Sequence, residues 1–231
     1  MIAIVRAGVL AALTFLVCLP SFAADKPFQR DDLADASIRL EAQIKSDAGA
    51  VTKPAAQLRR DVDAAFDKKD FRSALQLLGQ VLAVAPDDAT SWLRLARTVR
   101  QLRPSDDRER TLLLERASTA AYIAYRRTAD RGEEADALLI LGRSFADRKL
   151  WRPALDALRL SLELREVADV RMQYEKLRDD HGFRLLDYTV DADSASPRAC
   201  FQFSESLAGK RTDFAPFVSV GGQDKPAVSA D

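Results

Sequence analysis

The chain has 231 residues, 47% of them hydrophobic, with 35 Lys and Arg against 35 Asp and Glu. That length and apolar content suffice for one or two domains with a real core, and they exclude a disordered or collagen-like chain. A formal net charge of zero removes the bulk electrostatic reason to expect nucleic acid or an anionic membrane surface as partner, leaving only local basic clusters.

The opening stretch MIAIVRAGVLAALTFLVCLPSFAADKP carries Arg6, an apolar run from Ala7 to Leu19, and the small residues Ser21 and Ala23 ahead of Ala24. This is the layout of a secretory signal peptide over residues 1–23, cleaved between Ala23 and Ala24. The run is too short for an ordinary spanning helix and no second long one follows, so no stable membrane span is expected. Lipid attachment at Cys18 is the less favoured alternative, because Val17 is bulkier than the residue such a site prefers. Removal of the leader leaves Cys200 as the one cysteine, expected to be buried or to await a partner thiol outside the chain.

Residues 24–55 read as an N-terminal helix and linker. Leu33, Ala36, Leu40 and Ile44 recur at helical spacing from Asp31 to Lys45, with Asp31 and Asp32 suited to the positive end of the helix. Gly49 and Pro54 then mark a loop.

Residues 56–180 read as a helical domain built from repeats. LRRDVDAAFDKKDFRSALQLLGQVLAVAP places Leu58, Val62 and Ala65 before a turn at Lys69–Asp70, then Phe71, Ala74, Leu78, Val81 and Leu82. LLILGRSFADRKLWRPALDALRLSLEL follows the same order: Leu138, Leu141, Gly142 and Phe145, a turn at Lys149, then Trp151, Ala154, Leu158 and Leu162. Both stretches resemble the tetratricopeptide repeat, a helix-turn-helix unit of about 34 residues. Gly142 and the alanines would lie where helices approach closely, with Phe71 and Trp151 plugging the groove beside each turn. Asp61, Val62 and Glu166 depart from the repeat's preferences. A degenerate unit lies between, from Trp92 to Ala124. Its Ala117 stands 43 residues after Ala74 and 37 before Ala154, which calls for longer helices or a longer loop. Three hairpins therefore run from about residue 56 to 166, with the early helix capping one end, and a last helix spans Val170–Arg178.

The character changes at DDHG. Phe183–Val190, Arg198–Ser204 and Phe214–Val220 read as three strands, leaving open edges and a thin core.

Few residues suggest chemistry, and no catalytic, cofactor or metal site is expected. His181, the one histidine, has no Cys, His or paired acid nearby at metal-ligand spacing and reads as a solvated or capping residue. Ser144 lacks the second glycine of a nucleophile elbow, and the Asp-Asp pairs fall where helices begin or end. Arg94, Arg97, Arg100, Arg103, Arg126 and Arg127 suggest either a site for an acidic peptide or, more simply, a solvated face paired with Asp106, Asp107 and Glu109.

DDHGFRLLDYTVDADSASPRACFQFSESLAGKRTDFAPFVSV resembles the start of the first macroglobulin-like β-sandwich of bacterial alpha-2-macroglobulin family proteins. Ser196–Leu207 carries the likeness, with Asp213–Val220 in support, and exported members of one branch begin with a helical, repeat-like region. The resemblance implies a large periplasmic protein that traps proteases without catalysis, so the partners would be the remainder of a macroglobulin-like chain, a target protease or another periplasmic protein. No Cys-x-Glu-Gln thioester sequence is present, and Cys200 would instead pair with a cysteine later in the same sandwich. A sandwich of about a hundred residues does not fit between Phe183 and Asp231, so residues 181–231 are expected to be its truncated start. The overall expectation is a mainly α chain: a tetratricopeptide-like hairpin stack followed by an incomplete antiparallel β-sandwich piece. The alternative is a self-standing exported repeat scaffold that binds a partner protein in its concave groove.

Overall fold

The computed structural model describes residues 26–193, 195–207, 212–221 and 227–229. The leader, with Cys18 and the cleavage pair Ala23 and Ala24, lies outside the described residues. The fold is mainly α. Eight helices in the described part precede a two-stranded antiparallel sheet.

Two of the hairpins are built alike, 80 residues apart. Helices α2 (Ala55–Asp67) and α3 (Phe71–Val84) meet through Lys68–Asp70, and α6 (Arg131–Asp147) and α7 (Trp151–Leu164) meet through Arg148–Leu150. Each first helix ends with the same pair of backbone bonds. Asp70 N–H donates to Ala65 and Lys69 N–H to Phe66, and Leu150 N–H donates to Phe145 and Lys149 N–H to Ala146. This is a Schellman stop, which needs a left-handed residue at its centre. Lys69 and Lys149 supply it, at φ of 57° and 59°. Ala74, Leu78, Ala154 and Leu158 then bury completely or nearly so against the preceding helix.

The middle hairpin joins α4 (Ala89–Val99) to α5 (Asp107–Arg127). The excess spacing is absorbed in both expected ways: α5 has 21 residues where α3 and α7 have 14 each, and the connection runs over residues 100–106. Asp70, Asp88, Asp106 and Asp130 cap the starts of α3, α4, α5 and α6, each carboxylate accepting the backbone N–H three residues on. These bonds satisfy donors that the helix cannot use itself.

Successive pairs stack, α3 on α4 and α5 on α6, so that a continuous core forms from Leu58 to Leu160. Helix α1 (Asp31–Ala48) lies across α3 and α5 rather than at one end of the stack. Its Leu33, Leu40 and Ile44, with Phe28 before it, join that same core, so the division expected at residue 55 does not separate two cores. Helix α8 (Ala168–His181) packs on α7 through Val170. Among the described residues, no helix is long and apolar enough to cross a membrane.

Strands β1 (Leu185–Asp191) and β2 (Arg198–Phe203) form the sheet. The third strand expected over Phe214–Val220 does not form. Pro216 has a fixed φ and no N–H to give a ladder, and Ala215–Phe217 turns as a 3-10 helix whose start is held by the Ala215 N–H bonded to the Asp213 carboxylate at 3.0 Å.

Candidate functional site

The residues expected to pack the hairpins are distributed as follows. Gly142 faces α7 so closely that an added Cβ would lie 2.6 Å from Leu158 Cγ and 3.2 Å from the Ala154 carbonyl oxygen. Leu141 is fully buried beside it. Phe71 is half-buried, its ring edge-on to Phe66 at 6.1 Å. Trp151 differs from expectation. It is only half-buried, and its ring lies flat against His181 at a centroid distance of 3.8 Å with 3° between planes. The indole opens the second helix of its hairpin, where α8 returns, and so covers the junction to the sheet instead of plugging an interior groove.

The arginine face is likewise occupied differently. Arg94 reaches Asp63 of α2 at 2.6 Å, Arg97 reaches Asp136 of α6 at 2.5 Å, and Arg100 reaches Asp147 at 3.0 Å while donating to the Ser144 hydroxyl. Arg59 of α2 pairs with Asp88 at 2.7 Å. The carboxylates therefore come from neighbouring hairpins rather than from Asp106, Asp107 and Glu109. These pairs stitch α2, α4 and α6 along one side, each contributing little alone because it faces water. Arg127 bridges Glu41 of α1 and the Pro86 carbonyl, beside a cleft of about 350 Å³ between α1 and α5. Among the described residues, no group of three or more His, Cys, Asp or Glu could hold a metal ion.

The sheet carries the distinctive surface. Its register places Tyr188 opposite Phe201, Val190 opposite Ala199, and Leu185 opposite Phe203, with a bulge at Leu186 between Leu185 and Asp187. Directly opposed residues share a face and neighbours alternate. One face is thus apolar, extended by Phe183 stacked on Phe203 at 5.1 Å, and Tyr188 lies 6.5 Å from Phe201. The other face holds Asp187, Thr189, Asp191, Arg198, Cys200 and Gln202. Nothing in the described chain covers the apolar face: Tyr188, Val190 and Phe201 are 62%, 63% and 54% exposed. Cys200 is exposed too, on the polar face opposite Thr189, which excludes the buried one of its two expected states.

The base of this ribbon is fixed to the helices. Arg184 donates to the carbonyl oxygens of Asp179 and Asp180 at 2.6 and 2.8 Å, capping the end of α8 with positive charge. Ser204 closes the ribbon's root by accepting from Arg184 N–H and donating to the Gly182 carbonyl. Arg152 at the start of α7 pairs with Glu205 at 2.5 Å. Gly182 has no room for a side chain, since an added Cβ would lie 2.4 Å from the Arg178 carbonyl oxygen.

Sequence reasoning missed one further feature, the burial of Phe28 among Tyr122, Tyr125 and Phe145. A single aromatic between Pro27 and Gln29 gives no periodic signal, and only its apolar character in a polar segment marks it. Compared with models of known protein families and with curated proteins, the sequence matches none.

Proposed function

We propose that this chain is a non-catalytic, exported, periplasmic assembly piece whose helical stack mounts the first ribbon of a macroglobulin-like β-sandwich, as in alpha-2-macroglobulin family protease traps. The single observation that carries this reading is the ribbon's bare apolar face, with Tyr188, Val190 and Phe201 all more than half exposed. A contiguous exposed apolar surface on a rigid base marks a place where another polypeptide packs. The second sheet of a sandwich fits that need, because its inner face supplies alternating apolar residues at the spacing of the ribbon.

The resemblance rests on Ser196–Leu207, and the register agrees with it in one respect: Ala199, Phe201 and Phe203 share the side that a sandwich core would occupy. Cys200 then faces outward, so a disulfide across the sandwich core is not proposed for it. The non-catalytic part of the proposal rests on the resemblance, which implies trapping of a protease without catalysis. The hairpin stack serves as spacer and mount. Export rests on the leader pattern at residues 1–23.

A photo-reactive phenylalanine analogue at position 201, with one at exposed Leu112 as control, tests the reading in the native cell. Crosslinks from position 201 to macroglobulin-like sequence, in the same polypeptide or a bound one, are the expected result. Crosslinks confined to an unrelated periplasmic protein would replace this reading with that of a partner-binding repeat scaffold. Crosslinks to the helices alone would refute both.

A further inference from the structure

The residues ahead of α1 pack into the helical core against α5 and α6. Phe28, 5% exposed, stands edge-on to Tyr122 and Tyr125 of α5 at 6.5 and 6.2 Å and tilts against Phe145 of α6 at 6.3 Å. Its N–H donates to the Tyr125 hydroxyl at 3.0 Å. Two residues earlier, Lys26 donates to the carbonyl oxygens of Tyr125 and Thr128 at 2.5 and 2.8 Å. The same ammonium lies 3.6 Å from the Glu134 carboxylate and 4.8 Å from the centre of the Tyr125 ring.

These contacts form a coherent recognition site. The carbonyls of Tyr125 and Thr128 belong to the last turn and C-cap of α5, where acceptors lack helical donors and the helix dipole favours a cation. Glu134 and the Tyr125 ring add a carboxylate and a π-face for the same charge. Three aromatic rings hold the Phe28 side chain in the offset and edge-on geometries that aromatic groups prefer. Each of these groups comes from α5, its C-cap or α6. None comes from α1, although Phe28 shares the core with Leu33, Leu40 and Ile44 of that helix. Burial lowers the Lys26 pKa, which Glu134 partly offsets, in keeping with an ammonium drawn out of water by a site that replaces its hydration.

We propose that residues 26–30 are a peptide ligand held in cis, and that the α5–α6 socket is a detachable-peptide site selective for a lysine two residues before an aromatic ring. A second chain presenting that pattern binds there when the resident segment leaves. This site is independent of the ribbon and of the partner proposed for it.

The test uses the full chain carrying Phe28→Ala and a fluorescent peptide DKPFQR, matching residues 25–30, followed by anisotropy. The variant is expected to bind the peptide at least tenfold more tightly than the unaltered chain, whose own segment competes. Replacing the peptide's Phe by Ala or its Lys by Met should each weaken binding at least tenfold. Absence of binding, equal binding to both chains, or indifference to the peptide's Lys and Phe would overturn the proposal. If circular dichroism shows that Phe28→Ala does not fold, Lys26→Met, which keeps the aromatic plug, decides on the same criteria. Collapse of both variants also overturns it, because a segment on which the whole fold depends is not a detachable ligand.

Discussion

Asp88 does two jobs at the entry to α4: its carboxylate accepts the Ser91 N–H and hydroxyl, and it pairs with Arg59. Partial burial alone would raise its pKa, but those bonds outweigh it and hold the group below the ordinary carboxylate range. A depressed carboxylate contributes stability that is present above the unfolded pKa, near 4, and lost as pH falls through the folded value. Asp88→Asn keeps an acceptor for the cap and loses the charge. Urea titration at pH 7 is expected to show a loss of about 0.5–1 kcal/mol, reduced by solvent screening of the exposed Arg59, with the gap closing as pH falls below the ordinary carboxylate range. Arg116 is the converse case. Burial lowers its pKa, with Asp47 as a partial offset, and its Nε is buried without a hydrogen-bond partner. Arg116→Met should therefore be neutral or stabilising by about 1 kcal/mol in the same titration. Such partners are not legible in a sequence, because they come from residues distant along the chain, as Asp63, Asp136 and Asp147 do for the arginines of α4. The helix-capping role of the aspartates was legible, since it depends on a local offset of three residues. Cys200 should react with a thiol reagent in the folded chain without prior unfolding, in line with its exposure.

At the level of elements, the two matched hairpins show what a local pattern can specify. The order of apolar residues around Lys69 and Lys149 placed both turns correctly, because a Schellman stop is encoded within six residues. The lysines nevertheless hold a conformation that glycine adopts freely. Lys149→Gly is expected to raise stability by about 0.5–1 kcal/mol, the relief of left-handed strain exceeding the added entropy of the unfolded chain. Gly142→Ala should lower it by about 1–3 kcal/mol, since Leu158 and the Ala154 carbonyl leave no space for a methyl group. Trp151→Ala should cost about 2 kcal/mol, less than a fully buried ring, because one side of the indole faces His181 at the domain junction. A thermal or urea midpoint series over these three variants checks the ordering. The third strand was misread because Phe214, Phe217 and Val218 suggest a strand by composition, while Pro216 denies the backbone one.

At the scale of the whole molecule, the described residues combine a helical part with a continuous core and a ribbon whose apolar side chains stay exposed. The helical stack buries Trp92, Tyr125 and Phe145 almost entirely and is clamped by α1, whereas among the described residues the ribbon keeps an apolar face open and is fastened at its root by Arg184, Ser204 and Arg152. The mainly α class and the antiparallel β piece were legible in periodicity. The alternation of Ala199, Phe201 and Phe203 with Arg198, Cys200 and Gln202 made the two faces of β2 legible, whereas the register against β1 and the bulge at Leu186 depend on a partner strand and were not. The most direct measurement is amide hydrogen exchange on the monomeric chain, resolved by peptide. The helices α2–α7 should exchange only through global unfolding, while β1 and β2 open locally, at least about a hundredfold faster. Ribbon amides as protected as those of the helices would mean that the chain closes its own sheet, and the account of an unfinished sandwich would fail.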